Sequence, residues 1–361
     1  MKLVHIKPTS NKIGIICDLS LSSGLGHFKR MNYLVFELKK LGQKCFFLFN
    51  HKDKKLIKKF IENQNVIFFS DEKNKSFQNI KLLIQKIGIS TIILDSYKIG
   101  YEFENKLVKL GIFIVSIDDH LRKHAANIIV SNRSYIQKLN KKNQVWLIGP
   151  KYILIPKLKK KLKKKIKKKL PLKILLHAGG LSFYNLNKTF TESAIKASSI
   201  HQTNISILCS TFRSKKFIHE LSKKYKMASK IKILPYSKNF LNSISNYDVV
   251  AGPAGTTTFE AILAGVLPFS MPIKKDGRDS LNSWNSIGHM MHLTDKEKKN
   301  KKLLDSSWDL IIKNYSELLN NLRKNSKSID GFGAKRLAKK IILISKKKKI
   351  KLFKPQKKII T

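Results

Sequence analysis

A histidine lies inside a glycine turn near the start of the chain, in Ser23-Gly24-Leu25-Gly26-His27-Phe28-Lys29-Arg30. Glycines let a backbone turn tightly and leave room for a ligand beside it. A helix that opens at such a turn offers unpaired N–H groups to an anion. His27 and Arg30 are three residues apart, so a helix places them roughly on one face. An imidazole is available near neutral pH to take a proton from an attacking hydroxyl. The plainer reading of the same residues is a capped helix carrying a surface histidine.

A second constellation is Gly252-Pro253-Ala254-Gly255-Thr256-Thr257-Thr258-Phe259-Glu260. Small residues, backbone N–H groups and hydroxyls at a helix start suit a diphosphate. Glu260, one turn on, can accept hydrogen bonds from ribose hydroxyls; a tight turn with threonine caps and a solvated Glu260 is the alternative. Gly179 and Gly180 form another glycine turn, Ala178 to Ser182, without the further spaced glycine of a dinucleotide fingerprint. No Gly-Lys-Ser/Thr occurs, which argues against a P-loop ATPase. Asp95-Ser96-Tyr97 and Asp118-Asp119-His120 each follow an apolar run. The two adjacent aspartates are of the type that takes Mg²⁺, but such pairs more often cap the segment that follows. The remaining histidines, including His124, His177, His289 and His292, show no zinc spacing. No metal and no cofactor is expected.

The elements that must position these groups alternate. Short apolar runs at 13–17, 44–49, 65–69, 91–95, 112–117 and 126–130 read as strands, with helices at 30–41, 53–62, 76–87 and 101–110 between them. The pattern restarts after Pro171. Strands are expected at 172–176, 205–208, 230–234, 247–251 and 266–270, with helices at 187–198, 214–226, 237–245, 284–292, 304–323 and after 334. This argues an α/β protein of two Rossmann-like, doubly wound parallel-sheet domains facing a cleft. Ligands in such sheets bind at the C-terminal ends of strands, where the polar clusters fall. The boundaries read as 1–155 for the first domain, 156–171 for a Lys-rich interdomain segment, 172–345 for the second domain and 346–361 for a basic, fraying tail.

With 361 residues and 42% hydrophobic content, two cores are within reach. The net charge of +50 is carried almost wholly by lysine spread along the chain. Arginine, which reads and stacks on bases, is sparse, so a solvated lysine-rich surface is favoured over a specific nucleic-acid partner. Within 157–170, Leu158, Leu162, Ile166 and Leu170 recur every four residues among lysines. On a helix they form one stripe, which lies either on the protein or weakly on an anionic membrane surface. The three cysteines, Cys17, Cys45 and Cys209, are scattered and suit core positions. No run is long and apolar enough for a signal peptide or a membrane span, so a cytoplasmic protein is expected.

Taken together, the motifs resemble the UDP-sugar hydrolase of pseudaminic acid biosynthesis and the related spore-coat-polysaccharide proteins. The likeness runs through most of residues 13–340. It rests on Gly24 to Arg30, Leu94-Asp95-Ser96-Tyr97, Ile117-Asp118-Asp119 and Ile148-Gly149-Pro150-Lys151-Tyr152. It continues through Ala178-Gly179-Gly180, Ala251 to Glu260 and Asp330-Gly331-Phe332-Gly333-Ala334. The resemblance implies the two-domain glycosyltransferase-B fold. It also implies hydrolysis of UDP-2,4-diacetamido-2,4,6-trideoxy-β-L-altropyranose to UDP and the free sugar, with His27 as catalytic base. It implies sugar contacts from Gly24, Gly26, Arg30, Asp18, Tyr97 and one of Asn282 and Asn285. UDP contacts are implied for Gly179, Gly180, Gly252, Gly255, Thr256, Thr257 and Glu260. The chain departs from that pattern in three places. Ile16 stands where the family has Arg, Ser182 where it has Asp, and Ser after Asn282 or Asn285 where it has Gln. Two other functions fit the same features: a UDP-sugar-dependent glycosyltransferase of surface polysaccharide assembly, and a non-catalytic nucleotide-sugar-binding protein.

Overall fold

The computed structural model describes residues 11–19, 25–50, 64–69, 76–118, 120, 122–132, 144–157, 171–178, 188–209, 212–235, 243–271, 291–293 and 299–353. Gly24, Asp119, Gly179, Gly180, Asn282, Asn285 and His289 lie outside the described residues. So do the stripe beyond Lys157, the expected helix at 53–62 and most of that at 237–245.

The first half builds β1 (Lys12–Cys17), α1 (Gly26–Lys40), β2 (Lys44–Asn50), β3 (Val66–Phe69), α2 (Ser76–Ile87) and β4 (Thr91–Asp95). It continues with α3 (Tyr101–Lys109), β5 (Phe113–Ile117), β6 (Ile128–Ser131) and β7 (Val145–Ile148). The strands form one sheet in the order β3-β2-β1-β4-β5-β6-β7, every pair parallel. Apolar runs such as Thr91 to Asp95 and Phe113 to Ile117 are buried throughout, because helices cover both faces of the sheet.

The second half builds β8 (Lys173–His177), α4 (Lys188–Ile200), β9 (Asn204–Leu208), α5 (Phe212–Lys224), β10 (Ile231–Leu234) and β11 (Val249–Pro253). It continues with α6 (Thr256–Leu263), β12 (Leu267–Met271), β13 (Met291–His292), α7 (Lys301–Lys313), α8 (Tyr315–Asn325) and α9 (Gly333–Phe353). Its sheet runs β10-β9-β8-β11-β12-β13, again all parallel. Trp308 of α7 packs edge-on against Phe269 of β12 at 4.8 Å between ring centres, fixing that helix to the sheet.

The two cores meet at 152–155. Tyr152, which ends a 3-10 turn from Pro150, and Leu154 belong to the first core, Ile153 and Ile155 to the second, so the crossing segment divides its alternate side chains between domains. The chain crosses back at 331–333. Helix α9 falls within the range expected for the second domain, yet Ala334, Leu337, Ala338 and Ile341 pack in the first core with α1. Gly331 adopts φ +76°, a left-handed conformation that disfavours a side chain. A Cβ on Gly333 would collide with the Ile153 carbonyl. Arg336 closes this corner by binding Asp330 and donating to the Lys151 carbonyl at 3.0 Å.

Four sequence expectations change. The strand at 145–148 was not foreseen. The single helix at 304–323 is two helices, broken at Asn314. Residues 291–292, expected in a helix, pair beside β12 as a strand. The basic tail from 346 is helical through Phe353, continuing α9.

Candidate active site

Parallel pairing brings the glycine turn to the Asp-Ser-Tyr segment. Strands β1 and β4 are neighbours, with Cys17 opposite Asp95, so Asp18 and Ser96, the residues next after each strand, emerge side by side. Helix α1 begins at Gly26 and places His27 in this corner, 5% exposed. Its Nδ1 lies 2.7 Å from Asp95 Oδ1. Arg30 Nε donates to Asp95 Oδ2 at 2.6 Å, and its Nη2 reaches Oδ1. Burial pushes the Asp95 carboxyl up, but the charges and hydrogen bonds of Arg30 and His27 prevail and hold it at about 2. Asp95 is therefore an acceptor only, and the His27 proton sits on Nδ1. His27 Nε2 has no hydrogen-bond partner among the described residues.

Tyr97 packs edge-on against the His27 ring at 4.6 Å and against His120 at 4.8 Å. It is 43% exposed. Asp18, expected to touch sugar, spends both oxygens on this loop. It accepts from Ser96 Oγ at 2.7 Å and from the Tyr97 N–H at 2.9 Å.

Behind the loop lies a buried charge network. Glu104 of α3 accepts from His124 Nδ1 and from the Ala125 N–H, both at 2.7 Å, and from Ser116 Oγ at 2.6 Å. His124 Nε2 is 3.2 Å from Asp118 Oδ2, an ion-pair distance with poor hydrogen-bond alignment. Burial lowers the His124 pKa, but Asp118 and Glu104 outweigh it and raise it to about 9. The same contacts overcome burial and hold Glu104 and Asp118 below the usual carboxylate range. Asp118 also accepts the N–H groups of His120 and Arg122. Arg122 in turn donates to the carbonyls of Ser96, Tyr97 and Ile99 at 3.1, 3.2 and 3.1 Å. Asp118 thus caps and clamps, as the plainer reading of that pair has it. Among the described residues no cluster of His, Cys, Asp or Glu could hold a metal.

The second domain meets this corner through α6. A Cβ built on Gly26 would lie 3.7 Å from Thr256 Oγ1, so the starts of α1 and α6 are adjacent. The Gly255 N–H donates to Thr258 Oγ1 at 3.3 Å, while Thr256 and Thr257 stay half-exposed in the first turn, where helical N–H groups have no internal acceptor. Gly252, at the end of β11, has the His177 ring and carbonyl where a side chain would stand. Glu260 is buried, and its partners come from the other domain. Lys29 Nζ lies 2.8 and 2.9 Å from its two oxygens, and Tyr33 Oη donates at 3.3 Å.

Of the residues singled out in the sequence, His27, Arg30, Tyr97, Asp18 and Gly26 meet in one corner, facing Gly252, Gly255, Thr256, Thr257 and Glu260. Sequence reasoning gave no role to Asp95, Lys29, Arg122, Glu104, His124 or His177. Asp95 and His177 share one legible signal, a polar residue at the C-terminal end of a parallel strand. Burial, and after it the charge of Lys29, lowers His177 to about 4, so its imidazole is neutral.

No family model matches the chain. An uncharacterised protein of Methanocaldococcus jannaschii is 29% identical over 269 residues, 71% of this chain and 54% of that protein; the chain spans about half the length of that relative. Among solved structures, MurG of Acinetobacter baumannii superposes with a TM-score of 0.67 at 15% identity, over 92% of this chain and 99% of that one. The spinosyn rhamnosyltransferase SpnG, complexed with thymidine diphosphate, gives 0.64 at 9% identity over 88% and 96%. A putative UDP-N-acetylglucosamine 2-epimerase from Listeria monocytogenes gives 0.60 at 12% over 95% and 97%. The chain has the two-domain glycosyltransferase-B fold.

Proposed function

We propose that the chain is a glycosyltransferase that uses a UDP-sugar donor. The observation that carries the reading is the His27–Asp95 pair, set beside the first turn of α6 across the cleft. The second domain holds the nucleotide, with the diphosphate at Gly255, Thr256 and Thr257. An acceptor hydroxyl attacks the anomeric carbon, its proton passes to His27 Nε2, and the bond from that carbon to the diphosphate oxygen breaks with its electron pair leaving on UDP. Asp95 fixes the His27 tautomer and stabilises the imidazolium that forms. Helix α6 meets the charge growing on the diphosphate with fixed dipoles. Support comes also from the fold neighbours, whose names include a rhamnosyltransferase bound to a nucleoside diphosphate.

A second reading replaces the acceptor by water. It is favoured by the packing of Tyr97 on His27, because the resemblance to the UDP-sugar hydrolase places those two residues at the sugar. One assay separates the two readings. Purified protein is incubated with a panel of UDP-sugars, with and without candidate saccharide acceptors, and UDP release is followed. Transfer predicts release that depends on acceptor; hydrolysis predicts release in buffer alone. Either reaction must fall at least about 100-fold in His27→Asn. Release that is undiminished in that variant removes His27 from the chemistry and with it the mechanism.

A further inference from the structure

We propose that Lys29 is an exchanging cation: it holds Glu260 until a nucleoside diphosphate enters the cleft, then leaves Glu260 to the ribose and moves onto the diphosphate. The inference rests on the nucleotide-sugar reading of the same cleft. It starts from an ion pair that joins the domains. Lys29 Nζ is within 2.9 Å of both Glu260 oxygens, and the glutamate side chain is only 2% exposed against 27% for the lysine. The carboxylate proposed for the ribose is therefore already engaged, by a group from the opposite domain. A ribose diol can donate to Glu260 only by displacing Lys29 or sharing with it.

The displaced cation has a short way to go. Glu260 lies four residues beyond Thr256 on α6, which is about 6 Å along a helix. A lysine carries a point charge on a flexible four-carbon stem and can cover that distance by turning its stem. The start of α1 is adjacent to the start of α6: a side chain at Gly26 would lie 3.7 Å from Thr256 Oγ1. The charge of Lys29 is also felt at buried His177, beside Gly252, so its field reaches the floor of the same turn. The neighbouring cation, Arg30, is committed to Asp95. A helix N-terminus supplies only about half a unit charge to a diphosphate; Lys29 supplies a whole one. The exchange also links binding to chemistry, because nucleoside recognition frees the cation that the leaving group needs.

The test uses inorganic pyrophosphate, uridine and UDP as probes, with affinities measured by titration calorimetry. Removing Lys29 alone leaves a buried carboxylate unpaired and endangers folding, so the comparison is built on Glu260→Gln, which frees Lys29 without orphaning a charge. Glu260→Gln is expected to bind pyrophosphate several-fold more tightly than wild type. Lys29→Met/Glu260→Gln must then lose at least about tenfold of that pyrophosphate affinity, as expected for a charge-assisted contact, while its affinity for uridine stays equal to that of Glu260→Gln. Equal pyrophosphate binding by the single and double variants overturns the exchange while leaving the nucleotide reading intact. So does a loss that falls equally on uridine and pyrophosphate, since Lys29 would then only hold the domains together. Failure of wild type to bind UDP and uridine at all overturns the nucleotide reading itself and the exchange with it.

Discussion

Raising the pH from 6.5 to 9.5 should remove a well-defined block of stability from the first domain, through His124. This imidazole lies between Glu104 and Asp118 with almost no exposure, and its pKa rises from 6.5 to about 9 on folding. A group whose folded pKa is raised stabilises fully below its unfolded pKa, and that stability is lost as pH climbs through the folded value. At ~1.4 kcal/mol per pH unit, the interval from 6.5 to about 9 amounts to about 3 kcal/mol. The buried thiols of Cys17 and Cys45 are also pushed up, Cys45 to about 12, and they lose stability in the same direction above pH 9. Subtraction isolates the histidine. Urea unfolding of wild type and His124→Gln is followed by circular dichroism at half-unit steps across the window. Wild type should be the more stable at pH 6.5, and its advantage should shrink by about 3 kcal/mol by pH 9.5. A gap that stays flat across the window would mean that His124 is neutral in the fold, and the account of the Glu104–His124–Asp118 network would be wrong.

Asp95→Asn should cut turnover by about 10²–10⁴-fold, because His27 loses its fixed tautomer. It should also abolish part of the acid-side loss of stability: wild type sheds about 2 kcal/mol as pH falls from 4 through the Asp95 value near 2, and urea titrations of the variant should lack that step. Gly252→Ala drives a methyl into the His177 ring and carbonyl, so UDP affinity should fall at least about tenfold even where circular dichroism shows a folded protein. Gly333→Ala places a methyl on the Ile153 carbonyl, where both atoms belong to backbone that cannot yield cheaply. The start of α9 must shift, at a cost of about 1–3 kcal/mol read from the urea midpoint, and an unchanged midpoint would refute the tight corner.

The two-sheet architecture was legible because buried parallel strands are written as continuous apolar runs between helices. What escaped was set by tertiary context. Val145 to Ile148 is a four-residue edge strand before Gly149-Pro150, and its pairing with β6 is what makes it a strand. Asn314 breaks the long helix, although the apolar spacing continues from Ile311 and Ile312 to Leu319 and Leu322. The stripe of α9 is plain in the sequence, but a stripe names no partner, and only the Gly331–Gly333 corner returns it to the first domain. Gly331-Phe332-Gly333, which the sequence offered only as part of the family resemblance, serves that corner. In the site, His27 stood out because two glycines, Gly24 and Gly26, precede it. Its partner Asp95 is 68 residues away and needed the β1–β4 pairing to be matched to it.

The placement of so many functions on one helix has a mechanical consequence. Helix α1 carries His27, the base of the proposed reaction, its neighbour Arg30, and, on another face, Lys29 and Tyr33, which are four residues apart and both reach Glu260. Behind it, α9 packs into the same core through Leu337, Ala338 and Ile341. Helix α9 is itself pinned where the chain crosses between domains, at Gly331, Gly333 and the segment from Ile153 to Lys157. A change in the angle between domains must therefore move α6 relative to α1 while α1 and α9 travel together. The Lys29–Glu260 contact spans that moving boundary; the His27–Asp95 contact lies wholly on one side of it. A change in that angle would therefore leave the His27–Asp95 geometry intact and alter only the distance from His27 to α6. If His27 is the base of the proposed transfer, closure would gate catalysis, with the imidazole already oriented by Asp95.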